Sequence, residues 1–192
     1  MPEPPEYRAA IAEILVTEEQ IRAKVAELAA ALSREYAGKR LLIVGVLNGA
    51  AVFVADLLRA LSIPAELEFV GMSSYGCSTV SCGELQLTKD VACDLEGKHV
   101  LVVEDIVDTG RTLAALVACL RARGPASVRV CALLDKPSRR QVDFRPDFVG
   151  FTIPDRFVVG YGLDFAQGFR GLPYVAVLRP EAYARAASEA EA

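Results

Sequence analysis

Val102-Val103-Glu104-Asp105-Ile106-Val107-Asp108-Thr109-Gly110-Arg111-Thr112 decides how this chain is read. An apolar run ends in two adjacent carboxylates. Two aliphatic residues and a short Asp-Thr-Gly-Arg-Thr loop follow, and then an apolar-periodic stretch from Leu113 to Leu120. The order implied is strand, acidic turn, small-residue loop, helix, with Asp108 one helical turn beyond Glu104. Backbone N–H groups of a glycine-containing loop at a helix N-terminus attract a phosphate. Paired carboxylates just before it suit a ligand with hydroxyls. Together they point to something that is both a sugar and a phosphate.

Outward from this stretch, buried strands alternate with helices. Thr17-Glu18-Glu19-Gln20 has the form of a capping box. Ile21, Val25, Leu28 and Leu32 follow at helical spacing, up to Gly38 as a stop. Leu41 to Val46 reads as a buried strand, Asn48-Gly49 as a turn, and 50–61 as a helix. Pro64 opens a second strand that runs through Val70. A third spans about 98–103, and the helix after the loop reaches Arg123, with Gly124 past its end. Further strands are expected near 127–134, 147–153 and 173–178. The fold class implied is α/β: a mainly parallel twisted sheet flanked by helices, with ligands beyond the carboxyl ends of the strands. The whole chain, 1–192, reads as one domain, with 1–13 and 184–192 as loosely ordered tails.

Composition narrows the function. With 53% hydrophobic residues the chain has enough apolar matter for a core. No apolar run is long enough for a bilayer, and the Pro-rich acidic start is not a signal peptide, so a cytoplasmic protein is expected. Lys and Arg number 21 against 25 Asp and Glu, a net charge of −4, which argues against a dedicated nucleic-acid binder. The five cysteines are odd in number and lack a framework spacing, so free thiols are expected. The single histidine, His99, begins an apolar run and reads as structural. It leaves no Ser-His-Asp triad with a supporting motif and no His-Glu-x-x-His, and the chain has no Walker loop.

Four more stretches carry chemistry. Leu47-Asn48-Gly49-Ala50, taken alone, is an ordinary turn. Residues 71–88, opening on Ser73-Ser74-Tyr75-Gly76, are rich in Ser, Gly and Thr, as a functional loop or a hairpin turning at Gly83 would be. Leu133-Leu134-Asp135-Lys136-Pro137-Ser138-Arg139-Arg140 ends another strand in a basic turn. Ile153-Pro154-Asp155-Arg156-Phe157-Val158-Val159-Gly160-Tyr161-Gly162-Leu163-Asp164 contains what could be a core strand.

The 102–112 string closely resembles the phosphoribosyl-diphosphate (PRPP) motif of type I phosphoribosyltransferases. The 153–164 string is similar to the purine-binding segment of the hypoxanthine–guanine members of that family, bacterial ones in particular. The resemblance runs in consistent order over residues 14–180. It implies the type I phosphoribosyltransferase fold with a small hood-like base-binding part. It also implies purine salvage, in which PRPP and hypoxanthine or guanine give the nucleoside 5′-monophosphate and pyrophosphate with magnesium. Glu104 and Asp105 would hold the ribose hydroxyls, and Asp108, Thr109, Gly110, Arg111 and Thr112 would cradle the 5′-phosphate. Asp108 would serve as acid/base at purine N7. Leu47, Asn48, Gly49 and Arg170 would bind pyrophosphate, and Ser73, Ser74 and Tyr75 would belong to a mobile loop. Lys136 would donate to the purine's exocyclic oxygen, Phe157 would stack on the base, and the Val158 backbone would read its edge. Asp164, with Glu104 and Asp105, would attend the metal. A homo-oligomer, dimer or tetramer, is also implied. The chain departs from many members in carrying Asn48 rather than Lys or Arg, and in the cysteines in or near the 71–88 segment. Two alternatives stay open: a PRPP-binding regulator of the same fold, and a transferase for another base such as xanthine or uracil.

Overall fold

The computed structural model describes residues 4–72, 80–82 and 85–182, with side chains left out at 80–82, 85 and 86. The chain divides into two compact units, a smaller one built from 1–23 and 156–192 and a larger one spanning 24–155. The helix α2 (Glu18–Glu35) contains the first division. Its start is the predicted capping box. The Gln20 N–H donates to Thr17 Oγ1 at 3.2 Å, and Gln20 Oε1 accepts from the Thr17 N–H at 2.8 Å.

The larger unit holds β2 (Leu41–Leu47), α3 (Ala51–Ala60), β3 (Ala65–Met72), β4 (Val80–Cys82), β5 (Leu85–Lys89), β6 (His99–Val107), α4 (Arg111–Arg121), β7 (Ser127–Asp135) and β8 (Phe148–Thr152). Its seven strands run in the order β4-β5-β3-β2-β6-β7-β8. The five from β3 to β8 are parallel, while β5 and β4 add an antiparallel hairpin at one edge. The mainly parallel sheet expected from the sequence is therefore present, and within the 71–88 segment residues 80–82 pair antiparallel with 85–87, as the hairpin reading expects.

Both faces of the central strands are covered, which is why they read as unbroken apolar runs rather than alternating ones. Leu42, Val44, Val46, Val100, Val102, Val128 and Val130 pack with Leu113, Leu116, Val117 and Leu120 of α4. The odd-numbered positions of β2 face α3. A Cβ on Gly45 would stand 2.8 Å from Val54 Cγ2, and α3 buries Phe53, Val54 and Leu57. Leu116 is fully buried, so cutting it to Ala would cost roughly 2–5 kcal/mol.

Three expectations are corrected. First, β6 does not stop at residue 103. It runs on through Val107 in register with β7, pairing Glu104 with Ala132 and Val107 with Asp135. The carboxylates therefore sit on a strand, not in a turn, and Asp108 follows the strand end rather than lying one helical turn from Glu104. Pairing with β2 ends at Val103, and the ladder to β7 alone carries β6 past its acidic residues. Second, the stretch near 173–178 is not in the parallel sheet. In the smaller unit, β10 (Val175–Leu178) sits between β1 (Ile11–Val16) and β9 (Val158–Val159) in an antiparallel sheet of three. Third, the N-terminal stretch is not a loose tail throughout, because α1 (Pro5–Ala10) and β1 are formed. Ile11 pairs with Leu178, and Tyr7 stacks on Phe169 with ring centroids 4.1 Å apart. The expected C-terminal tail, 184–192, lies outside the described residues, as do Ser73, Ser74 and Tyr75.

Cys93 and Cys131 carry free thiols. Cys119 on α4 is disulfide-bonded, which corrects the expectation of free thiols throughout. His99 is structural as expected, its Nδ1 lying 2.8 Å from Ser127 Oγ.

Candidate active site

In the larger unit, a cleft of about 290 Å³ opens at the carboxyl ends of β2 and β6. Leu47, Gly49, Glu104, Asp105, Asp108, Thr109, Gly110 and Thr112 all contribute to its lining, so most of the residues singled out in this half of the chain meet there.

The acidic pair is its most strained electrostatic feature. Glu104 and Asp105 are both buried, at 8% and 9% exposure. Each is partly satisfied by backbone: the Asp105 N–H donates to Glu104 Oε1 at 3.1 Å, and the Ile106 N–H donates to Asp105 Oδ1 at 2.6 Å. Burial, and then the neighbouring Asp105 charge, push the Glu104 carboxyl well above the usual range. Two carboxylates in a dry wall create a demand for positive charge. Gly49 shows how closely the β2 turn approaches them, since a Cβ there would collide with Oδ2 of Asp105. Only glycine leaves the backbone of this turn against the carboxylate. The Leu47–Asn48 peptide in the same turn is cis.

The loop after β6 is held from the side of β7. Lys136 N–H donates to the Val107 carbonyl (2.9 Å), Arg140 to the Asp108 carbonyl (2.5 Å), and Gln141 N–H to the Thr109 carbonyl (3.0 Å). Gly110 then sits at φ +80°, and a Cβ on it would stand 2.8 Å from Arg140 Cδ. In a trans peptide the N–H points opposite to the carbonyl. Carbonyls at 107, 108 and 109 that turn toward 136–141 therefore turn the N–H groups of 108, 109 and 110 away from it. Helix α4 begins at once with Arg111, so its N-terminal dipole adds to the same pull on an anion.

Asp108 projects from this loop with its side chain 44% exposed, and Arg139 Nε donates to its Oδ1 at 3.1 Å. Lys136 is not the solvated basic turn residue that its surroundings in sequence allow. It is buried to 8% exposure, with Nζ 3.8 Å from Asp155 Oδ1. Asp155 also faces Arg139 at 3.8 Å. Asp135 and Arg140 form a second, mostly buried ion pair. Sequence reading passed over Asp135, Arg139, Arg140 and Asp155. The one signal was a strand-ending Asp followed four and five residues on by two arginines.

In the smaller unit, Phe157 is exposed at 43% and meets Phe165 edge-on, with ring centroids 5.7 Å apart. Val158 and Val159 form β9 and are buried. Asp164 and Arg170 are brought together: Arg170 Nη2 lies 2.8 Å from Asp164 Oδ1, and its Nη1 donates to the Gly162 carbonyl at 2.8 Å. The Gln167 N–H donates to Asp164 Oδ2 at 3.0 Å.

Comparison with known proteins follows the same lines. The family model of the phosphoribosyl transferase domain matches residues 12–166. The chain is 49% identical over 173 residues to the hypoxanthine-guanine phosphoribosyltransferase of Bacillus subtilis, covering 90% of this chain and 96% of that one. It is 46% identical over 166 residues to the hypoxanthine phosphoribosyltransferase of Haemophilus influenzae, covering 85% and 93% respectively. The crystal structure of a hypoxanthine phosphoribosyltransferase from Staphylococcus aureus superposes with a TM-score of 0.89 at 42% identity, covering 95% of this chain and 99% of that one.

Proposed function

The chain belongs to the phosphoribosyl transferase domain family, and from that premise we propose that it salvages purines. It transfers the 5-phosphoribosyl group of PRPP to hypoxanthine, and to guanine, giving the nucleoside 5′-monophosphate and pyrophosphate. The observation that carries this reading is the cleft itself. A buried carboxylate pair at a strand end stands beside a loop that turns consecutive N–H groups away from β7, at the N-terminus of α4. Sugar hydroxyls and a terminal phosphate are what such a pair and such a loop bind.

The residue roles follow. Glu104 and Asp105 accept from the ribose hydroxyls, and the backbone of residues 108–112 takes the 5′-phosphate. Leu47, Asn48 and Gly49, with Arg170, receive the pyrophosphate. Lys136 donates to the exocyclic oxygen of a 6-oxopurine, Phe157 stacks on the ring, and the Val158 backbone meets its edge. The bond from C1′ to pyrophosphate breaks as the bond to the purine nitrogen forms, and positive charge develops on the ribose. The carboxylates of Glu104 and Asp105 favour that charge. Asp108 exchanges a proton with purine N7, and its carboxylate, paired with Arg139 at 3.1 Å, is exposed enough to reach a ligand. The smaller unit is read as the base-binding hood.

Magnesium fits the donors present. Glu104 and Asp105 in the cleft, and Asp164 in the smaller unit, carry the hard oxygens it prefers, and burial beside Asp105 holds the Glu104 carboxyl well above its usual range. Among the described residues no group of three or more His, Cys, Asp or Glu forms a cage. That suits an ion held by one or two carboxylates together with substrate phosphates. When bound with PRPP, it offsets the charge gathering on the leaving pyrophosphate. We place the reaction in the cytoplasm, since its polyanionic substrate does not cross a bilayer unaided. A homo-oligomer completes the reading, and half-exposed Val52 and Leu67 offer apolar surface for one. No helix among the described residues is long and apolar enough to cross a membrane.

The regulator and the xanthine or uracil transferase are not favoured, because the relatives at 46–49% identity over most of the chain carry hypoxanthine or hypoxanthine-guanine in their names. The test is pyrophosphate release from PRPP with hypoxanthine, guanine, xanthine, adenine and uracil. Hypoxanthine or guanine should exceed adenine and uracil by roughly 10⁴-fold in kcat/KM, as expected when a buried donor must meet an oxygen. Lys136→Ala should narrow that gap. PRPP binding without turnover of any base would overturn the reading in favour of a regulator.

A further inference from the structure

We propose that Arg140 is the positioning residue of the 5′-phosphate cradle, holding the peptide planes of residues 108–110 so that their N–H groups point into the cleft. The inference rests on the reading of residues 108–112 as that cradle.

Four successive points tie the loop to the turn after β7. They are the carbonyls of Val107, Asp108 and Thr109, and the bare Cα of Gly110. The first and third are met by backbone N–H groups, which any residue but proline supplies. The second and fourth belong to one side chain. Nη1 of Arg140 donates to the Asp108 carbonyl, and its stem packs where a Cβ of residue 110 would have to go. Without it, the central peptide of the three loses the donor that holds its carbonyl and is released to rotate. A rotated peptide would present a carbonyl oxygen to the phosphate in place of an N–H.

What fixes Arg140 is Asp135. Nη2 of Arg140 is ion-paired to Asp135 Oδ1, and only 14% and 12% of the two side chains are exposed. Asp135 is the last residue of β7, in register with Val107, the last residue of β6. The guanidinium therefore bridges two strand ends and the loop at once. Its planar fork allows this: one nitrogen serves the carboxylate and the other the carbonyl. Lysine has one nitrogen on a flexible stem. Arg139 differs in kind. It is half-exposed and pairs with the side chains of Asp108 and Asp155, both also well exposed, the geometry of weak surface pairs. Lys136 follows Asp135 directly, so the same tie joins the base-selecting turn to the phosphate loop.

Arg140→Met alone would strand a buried carboxylate, so the test uses Arg140→Met with Asp135→Asn, which keeps the stem's bulk and removes both charges. Arg140→Lys is the second variant and keeps the ion pair. Dissociation constants are measured for ribose 5-phosphate and for inosine, which lacks the phosphate. The double variant should bind ribose 5-phosphate at least tenfold more weakly, with inosine within twofold of the parent. Arg140→Lys should fall between the two. Unchanged ribose 5-phosphate affinity, or equal loss for both ligands, would overturn the proposal, since a merely structural role would weaken the two alike. Turnover of the parent enzyme with PRPP and hypoxanthine is measured alongside. Its absence would sink the transferase reading, whereas normal parental turnover with an unselective variant would sink only the role given to Arg140.

Discussion

The loop at 107–110 and the segment at 157–170 both hold polar groups in fixed places, and they do so by opposite means. The loop leaves a strand that is paired on both sides, and its carbonyls are taken one after another by a neighbouring turn. What it presents is backbone. The 157–170 segment has only two residues of regular strand. Four of its non-glycine residues, Tyr161, Ala166, Gln167 and Phe169, sit at φ between 49° and 70°. Such conformations cost about 1–2 kcal/mol each, and close backbone bonds from Tyr161 to Leu172 and from Gly162 to Arg170 hold them. What it presents is a side-chain pair, Asp164 with Arg170. The contrast implies that the first region tolerates side-chain changes in binding and the second does not.

The largest effect tests the first half. Asp108→Asn should lower kcat by about 10²–10⁴-fold, the usual range for a general acid/base group, and leave the KM for PRPP nearly unchanged. A comparable rise in KM would mean that the loop binds through side chains after all. Arg170→Ala tests the other half. It removes charge-assisted contacts worth roughly 1.5–3 kcal/mol, so pyrophosphate inhibition should weaken about 10–100-fold. Intact inhibition would erase the distinction between the two regions.

The contrast also shows how far the sequence could be read. The 102–112 string announced its own structure, because an apolar run, a glycine and a helical period are local signals. It misplaced only the strand end, where the ladder to β7 carried β6 past two carboxylates that looked like a turn. The segment near 173–178 was a strand as expected, but nothing in it says which sheet it joins. Its partner β1 is some 160 residues away and begins inside the stretch, 1–13, that read as tail. Lys136 looked like a solvated turn residue until Asp155 and the end of β6 closed around it. The Arg140–Asp135 tie depends on how three segments meet at one end of the sheet, which no spacing rule encodes.

A third prediction concerns what the strand end costs. The Glu104 carboxyl lies well above its ordinary 4.5 in the folded chain, so the native state holds that proton more tightly than the unfolded one. Stability in the absence of PRPP and divalent cation should therefore fall as pH rises from about 4.5 through the raised value, and stay lower above it. Glu104→Gln should relieve this by about 1–2 kcal/mol. Its Tm should exceed the parent's by roughly 2–8 °C at pH 8 and by little near pH 4. Activity should be impaired by the same change. Equal Tm values at pH 8 would show that the pair is not strained.

The smallest effect expected is at the β2 turn. Asn48→Lys adds a charge to a turn proposed to bind pyrophosphate through its backbone. It should tighten pyrophosphate by about 1 kcal/mol or less. A tenfold gain, about 1.4 kcal/mol, would show that the turn relies on side-chain charge as Arg170 does.

The central claim is that the loop after β6 receives the 5′-phosphate on backbone N–H groups, with the ribose on Glu104 and Asp105. A crystal structure with inosine 5′-monophosphate tests it most directly. The account predicts phosphate oxygens within about 3.2 Å of backbone nitrogens in residues 108–112, and the ribose hydroxyls on the two carboxylates. The Asp108 carbonyl should remain turned to Arg140. A phosphate seated elsewhere, or one held by side chains while the loop turns a carbonyl to the cleft, would contradict it.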